Sequence, residues 1–104
     1  AEIGLHLEEQ GRLPAPIRRD PTGRAEFIDA QGTRWDIKAF DSRFPPRKGG
    51  FSLARDLEKL KAELALGENV ILNTENMAAH HIQELRQALD ALGTAFSSRV
   101  LWFP

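Results

Sequence analysis

AEFIDAQGTRWDIKAF (Ala25–Phe40) reads as a β-hairpin, and the register of its two arms decides what the chain can do. Glu26–Asp29 and Thr33–Phe40 are the arms, with Trp35, Ile37 and Phe40 suited to strand positions. Strand side chains alternate, so Asp36 and Lys38 share one face while Trp35, Ile37 and Ala39 share the other. A three-residue loop, Ala30-Gln31-Gly32, with glycine in the left-handed position, pairs Asp29 with Thr33 and sets Glu26 opposite Asp36. A two-residue Gln31-Gly32 loop would set Glu26 opposite Ile37 and send the two carboxylates to opposite faces. The three-residue loop is the expectation because it gathers Glu26, Asp36 and Lys38. Like charges directly across a sheet repel, and a divalent cation would give such a pair a reason. Mg²⁺ takes one or two carboxylates and keeps positions for water and phosphate oxygens; Mn²⁺ and Zn²⁺ are alternatives. Lys38 would orient the attacking water or offset developing negative charge.

Outward from the hairpin, the elements alternate. Residues 2–12 read as a helix that stops at Gly11, and 13–23 as a proline-rich connector with a short strand at Ile17–Arg19. DSRFPPRKGG (41–50) is a breaker-rich loop. FSLARDLEKLKAELALG (51–67) is the clearest helix, with Ser52 as its cap, a Leu53, Leu57, Leu60 and Leu64 stripe, and Gly67 as its end. NVILN (69–73) reads as an inner strand covered on both faces. Met77–Leu92 is a second helix, capped by Asn76 and ended by Gly93, and Arg99–Phe103 a last strand. The fold expected is α/β, a mixed sheet with a central β-hairpin flanked by helices and parallel pairings in its second half.

The totals bound the rest. A length of 104 residues predicts a single domain over 1–104, and 41% apolar content gives it one modest core. The absence of cysteine excludes disulfide scaffolds, thiolate zinc sites and thiol catalysis. A net charge of −1 means that any nucleic-acid contact must come from a local patch. Arg18, Arg19, Arg24, Arg43, Arg47 and Lys48 fall in connectors beside the hairpin and are the candidate phosphate contacts. No apolar run approaches a membrane span and no signal peptide opens the chain. A first residue of Ala1 rather than methionine is expected of a piece of a longer protein.

The string running from Ala25-Glu26 through Gly32 to Asp36-Ile37-Lys38, preceded by a helix bearing glutamate, resembles the PD-(D/E)xK nuclease superfamily. Ala25-Glu26 takes the "PD" place and Asp36-Ile37-Lys38 the "(D/E)xK" place; glutamate stands for the usual aspartate and alanine for proline. The element order is similar to that family's α-β-β-β-α-β core with an extra helix and strand. The tail GENVILNTENM…HHIQELRQAL…RVLWFP and the small size look like the C-terminal toxin domains of bacterial polymorphic and contact-dependent growth inhibition toxins. The resemblance implies metal-dependent cleavage of DNA or tRNA, with Glu26, Asp36 and Glu2 on the metal and Lys38 assisting the water. It also implies export within a larger toxin, action in the target-cell cytoplasm as a monomer, and a cognate immunity protein as partner.

Other residues carry blander readings. Glu9 lies one position beyond Glu2 along the helix stripe, and His6 between them is a weak zinc candidate. Asp29 suits a turn residue whose carboxylate bonds the loop backbone. His80 and His81 are adjacent and do not form a chelating pair; a metal-independent ribonuclease would use one of them. Trp102 and Phe103 read as core. A non-catalytic interaction domain is the rival of a different class.

Overall fold

A computed structural model describes residues 2–104, with Glu2 described in its backbone only. In chain order the elements are α1 (Glu2–Glu9), β1 (Arg18–Arg19), β2 (Phe27–Ile28), β3 (Arg34–Ala39), a 3₁₀ turn (Pro46–Lys48), α2 (Leu53–Ala65), β4 (Asn69–Asn73), α3 (Ala79–Ala91), α4 (Thr94–Ser97) and β5 (Val100–Phe103). The five strands form one sheet in sequence order. β1, β2 and β3 pair antiparallel, and β3, β4 and β5 pair parallel. The change of sense follows from the connections. A short turn can only reverse the chain, whereas α2 and then α3 with α4 are long enough to carry it back to start in the same direction.

Alternation divides Trp35 and Ile37 of β3 and the apolar residues of β4 between two cores. Trp35 and Ile37 join Leu7, Leu13, Phe27 and Ile71 on the α1 face. Val70 and Leu72 join Leu60, Leu64, Leu85 and Leu89 on the face covered by α2 and α3. Val70, Ile71 and Leu72 have no exposed surface at all, as expected of an inner strand with both faces covered. Among the described residues no helix is long and apolar enough to cross a membrane.

Helix starts are where local rules fail. Ser52 precedes α2 but its hydroxyl caps nothing; instead the Ser52 N–H donates to the buried carboxylate of Asp56 at 3.0 Å. Asn76 does not cap α3. The Ala78 N–H donates to Ser42 Oγ at 2.9 Å, a cap supplied by the loop after β3. α4, after Gly93, has no counterpart in the sequence reading.

The hairpin turn is the three-residue loop. The Asp29 N–H donates to the Thr33 carbonyl at 3.0 Å, and Gly32 sits at φ +85. Buried Asp29 accepts from the N–H groups of Gln31 and Thr33 and, at 2.9 Å, from Trp35 Nε1. Asp29→Ala would leave a buried indole donor and two turn amides without acceptors. The expected cost is about 2–3 kcal/mol of unfolding free energy in a urea titration.

Candidate metal centre

β3 projects Asp36 and Lys38 toward α2, opposite the face that Trp35 and Ile37 fill. Two further carboxylates meet them there: Glu63, near the C-terminal end of α2, and Glu68, the residue before β4. Asp36, Glu63 and Glu68 each bring a carboxylate oxygen within 4.8 Å of the others. Lys38 Nζ stands 3.3 Å from Asp36 Oδ2 and 3.3 Å from Glu63 Oε1. Burial lowers the Lys38 pKa, but its ion pairs with Asp36 and Glu63 outweigh this and hold it above the ordinary lysine value. The ammonium is therefore a fixed cation and not a proton acceptor.

Glu68 is the exceptional member. It is 4% exposed, and its Oε2 is buried with no hydrogen-bond partner among the described residues. An unmatched buried carboxylate oxygen is costly. Burial, then the adjacent Glu63 carboxylate, then Asp36 and Asp20 push its pKa up. Two species relieve this crowding: a proton shared with Glu63, or a cation among the three acids. Hard oxygen donors of this kind suit Mg²⁺ or Mn²⁺ better than a soft metal.

The acids are held in place from behind. Arg99 Nη2 donates to the carbonyls of Leu64 (2.9 Å) and Glu68 (2.6 Å), and its Nε donates to Asn69 Oδ1 (3.1 Å). One guanidinium thus ties the end of α2 to the entry of β4, as cations do at helix C-termini. Asp20, buried beside the cluster, is fully engaged by Thr22, the Ala25 N–H and Arg34 Nε. Hydrogen bonding from Thr22 is the main reason that its pKa lies below the ordinary aspartate value.

These shifts have opposite signs in pH. Glu68 titrates higher folded than its ordinary 4.5, so its favourable contribution is complete below about pH 4.5 and is lost as pH rises through the folded value. Asp20 titrates below its ordinary 3.8, so its contribution is present above that value and lost in stronger acid. Glu68→Gln, melted in EDTA, is expected to exceed the wild-type Tm at neutral pH. The excess should shrink as pH approaches 4.5; an excess that does not change with pH contradicts the buried-acid account.

Glu26 is not in the cluster, which corrects the expected Glu26–Asp36 pair. The register Phe27↔Trp35 extends on paper to that pair. However, the Glu26 N–H donates to the Trp35 carbonyl at 2.9 Å, so Glu26 and Phe27 together oppose Trp35 in a β-bulge. The bulge turns exposed Glu26 to the α1 side, into a cavity shared with Leu5, Ile17 and Phe27. The Glu2 side chain lies outside the described residues. Glu9 is exposed and His6 packs edge-on against Phe103 at 5.8 Å.

The cationic candidates divide. Arg24 is exposed, and Arg43 is engaged by Asp41 at 2.8 Å. Arg47 and Lys48 project from the 3₁₀ turn with no ion pair among the described residues. His81 Nδ1 lies 2.7 Å from Ser42 Oγ and its ring packs on Phe51, while the exposed His80 ring stands 4.1 Å from it. Phe103 packs in the α1-side core, and Trp102 packs on the other side under the Arg86 guanidinium at 4.4 Å.

Sequence reasoning missed Glu63 and Glu68. A signal existed for the second: an acid placed directly before an all-apolar inner strand has no solvent to face. No family model, curated protein or solved structure matches the chain.

Proposed function

We propose that this domain is a metal-dependent nuclease whose centre is Asp36, Glu63 and Glu68 with Lys38 beside them. The observation that carries the reading is the buried Glu68 carboxylate, one oxygen of which has no partner among the described residues, clustered with Asp36 and Glu63, which in turn share the Lys38 ammonium. The three acids would hold a divalent cation, Mg²⁺ or Mn²⁺. Such an ion polarises a water and offsets negative charge on an attacked phosphate. Asp36 and Glu63 remain partly open to solvent, with side chains 17% and 23% exposed, so a substrate phosphate can approach from their side. Lys38 would orient the water and stabilise charge on the phosphoryl oxygens.

The three-stranded meander, the α2 crossover to a parallel strand, and an acid-x-Lys on the third strand support the likeness to the PD-(D/E)xK core. In this chain Glu63 and Glu68 take the place expected of Glu26. By the same likeness we propose a toxin domain of a larger exported protein that acts in the cytoplasm of a target cell and is restrained by an immunity protein. Plasmid DNA and total tRNA, each incubated with the domain in Mg²⁺ and in EDTA, test the activity. Cleavage of either in Mg²⁺ and none in EDTA is the expected result. Cleavage that survives EDTA would move the chemistry to His80 or His81, and no cleavage of either substrate would remove the nuclease reading.

A further inference from the structure

The loop between β3 and α2 is built far more firmly than a connector requires. Lys48 and Gly50 N–H groups donate to the Pro45 carbonyl, Gly49 to Pro46, and Phe51 to Asp41. Arg55 reaches up from α2 to the carbonyls of Pro46 (3.1 Å) and Gly50, and Asp41 clamps Arg43 at 2.8 Å. Gly50 passes so close that a Cβ there would lie 1.7 Å from the Phe44 carbonyl oxygen. What this scaffold holds out is Phe44, with 52% of its surface exposed and the Arg43 guanidinium 5.8 Å from its ring; exposed Arg47 and Lys48 follow in the 3₁₀ turn of the same loop.

From this loop a row headed by two cations, both beside the buried Asp56 carboxylate, leads to the acids. Arg55, Lys59 and Glu63 follow one another at i, i+4 spacing and so share one row of α2. Their side chains are 41%, 59% and 23% exposed, and the row ends where Lys38 bridges Glu63 and Asp36. Eight residues of helix place Arg55 roughly 12 Å from Glu63, a span of a few nucleotides.

We propose that this row is the track of an unpaired nucleic-acid strand, with Phe44 stacking one base and Arg47, Lys48 and Lys59 holding its phosphates. The proposal rests on the nuclease reading and names the substrate of that site as single-stranded. A rigid, exposed phenyl beside cations is the recurrent platform for unpaired bases. A duplex keeps its base faces stacked inside and offers that ring nothing.

Fluorescence anisotropy in EDTA tests this with labelled single-stranded DNA, single-stranded RNA and a duplex of the same sequence. Tighter binding to one or both single strands than to the duplex is expected, and the strand bound identifies the sugar preferred. Phe44→Ala should weaken single-strand binding about 5- to 150-fold and leave duplex binding unchanged. Lys59→Gln should reduce the slope of log K against log salt by about 0.7. Phe44 is exposed, so Phe44→Ala should melt like the wild type; Lys59 Nζ stands 3.9 Å from the buried Asp56 carboxylate, so the salt slope of Lys59→Gln is read well below its own melting temperature. Wild-type affinity in Phe44→Ala, or a duplex bound as tightly as the single strands, overturns the proposal. The EDTA separates it from the metal reading: base-dependent binding without cleavage in Mg²⁺ would leave the track standing and remove the nuclease, and cleavage with Phe44-independent binding would do the reverse.

Discussion

Asp36→Ala is expected to lower Mg²⁺-dependent cleavage by about 10³-fold or more while the folded protein survives. The ion's stabilisation of the transition state is worth several kcal/mol, and about 4 kcal/mol corresponds to roughly 10³ in rate. In the proposed centre Asp36 would be one of three oxygen donors, and it is one of the two anions that hold Lys38, each at 3.3 Å. Its loss weakens the ion's hold and lets the ammonium turn wholly to Glu63. In the metal-free protein the same change removes one of three crowded carboxylates, so the Tm in EDTA should not fall. Lys38→Ala differs in a way that separates charge from ligation. Removing the ammonium leaves Asp36 and Glu63 facing Glu68 without a counter-charge, so its metal-free Tm should drop and added Mg²⁺ should recover much of it. Its cleavage should fall about 10²–10³-fold, the usual effect of losing a positioned donor for transition-state charge. If both variants cleave as fast as the wild type in Mg²⁺, these residues are not the centre.

Gly50→Ala is expected to be the most disruptive glycine-to-alanine change among the described residues, costing about 2–4 kcal/mol. The Cβ would stand 1.7 Å from the Phe44 carbonyl oxygen and 2.9 Å from the Pro45 carbonyl carbon, and these are backbone atoms that cannot rotate away. The loop can yield only by giving up the Gly50 N–H bond to Pro45, the Arg55 contacts and the Phe51 N–H bond to Asp41. Arg55 would then lose two of its acceptors above the buried Asp56, an arrangement in the costly class of broken networks. Gly49→Ala, one residue earlier, meets open space and suffers only the left-handed φ of 87, so it should cost about 1–2 kcal/mol. Equal urea midpoints for the two variants would contradict the close-approach account.

The hairpin and the faces of its second arm are legible in the sequence because they depend on neighbours. Gly32 and Asp29 specify the three-residue turn, and alternation then places Asp36 with Lys38 and Trp35 with Ile37. The parity of Glu26 is not legible. It depends on a bulge, and Phe27 at that bulge packs against α1 so closely that a Cβ on Gly4 would come 2.9 Å from its ring. Turn rules contain nothing of that contact. The acid cluster escapes for a different reason. Glu63 and Glu68 lie far along the chain from Asp36, and they meet it only because α2 returns the chain to start a parallel strand beside β3. The caps show the same limit: Ser42 and Asp56 satisfy the starts of α3 and α2 where Asn76 and the Ser52 hydroxyl were expected. Helical periodicity, by contrast, identified the Leu60 and Leu64 stripe, and a short continuous apolar run identified buried β4, both without tertiary information.

Calorimetric titration of Mn²⁺ into the metal-free domain tests the central claim most directly, with Glu68→Gln and Glu63→Gln titrated alongside. The account predicts binding of one ion per chain by the wild type, with a Tm rise matching roughly 2.7 kcal/mol at a hundredfold excess over Kd. Both variants should lose that binding while remaining folded. A wild type that takes up no ion, or a Glu68→Gln variant that binds as tightly as the wild type, would contradict it.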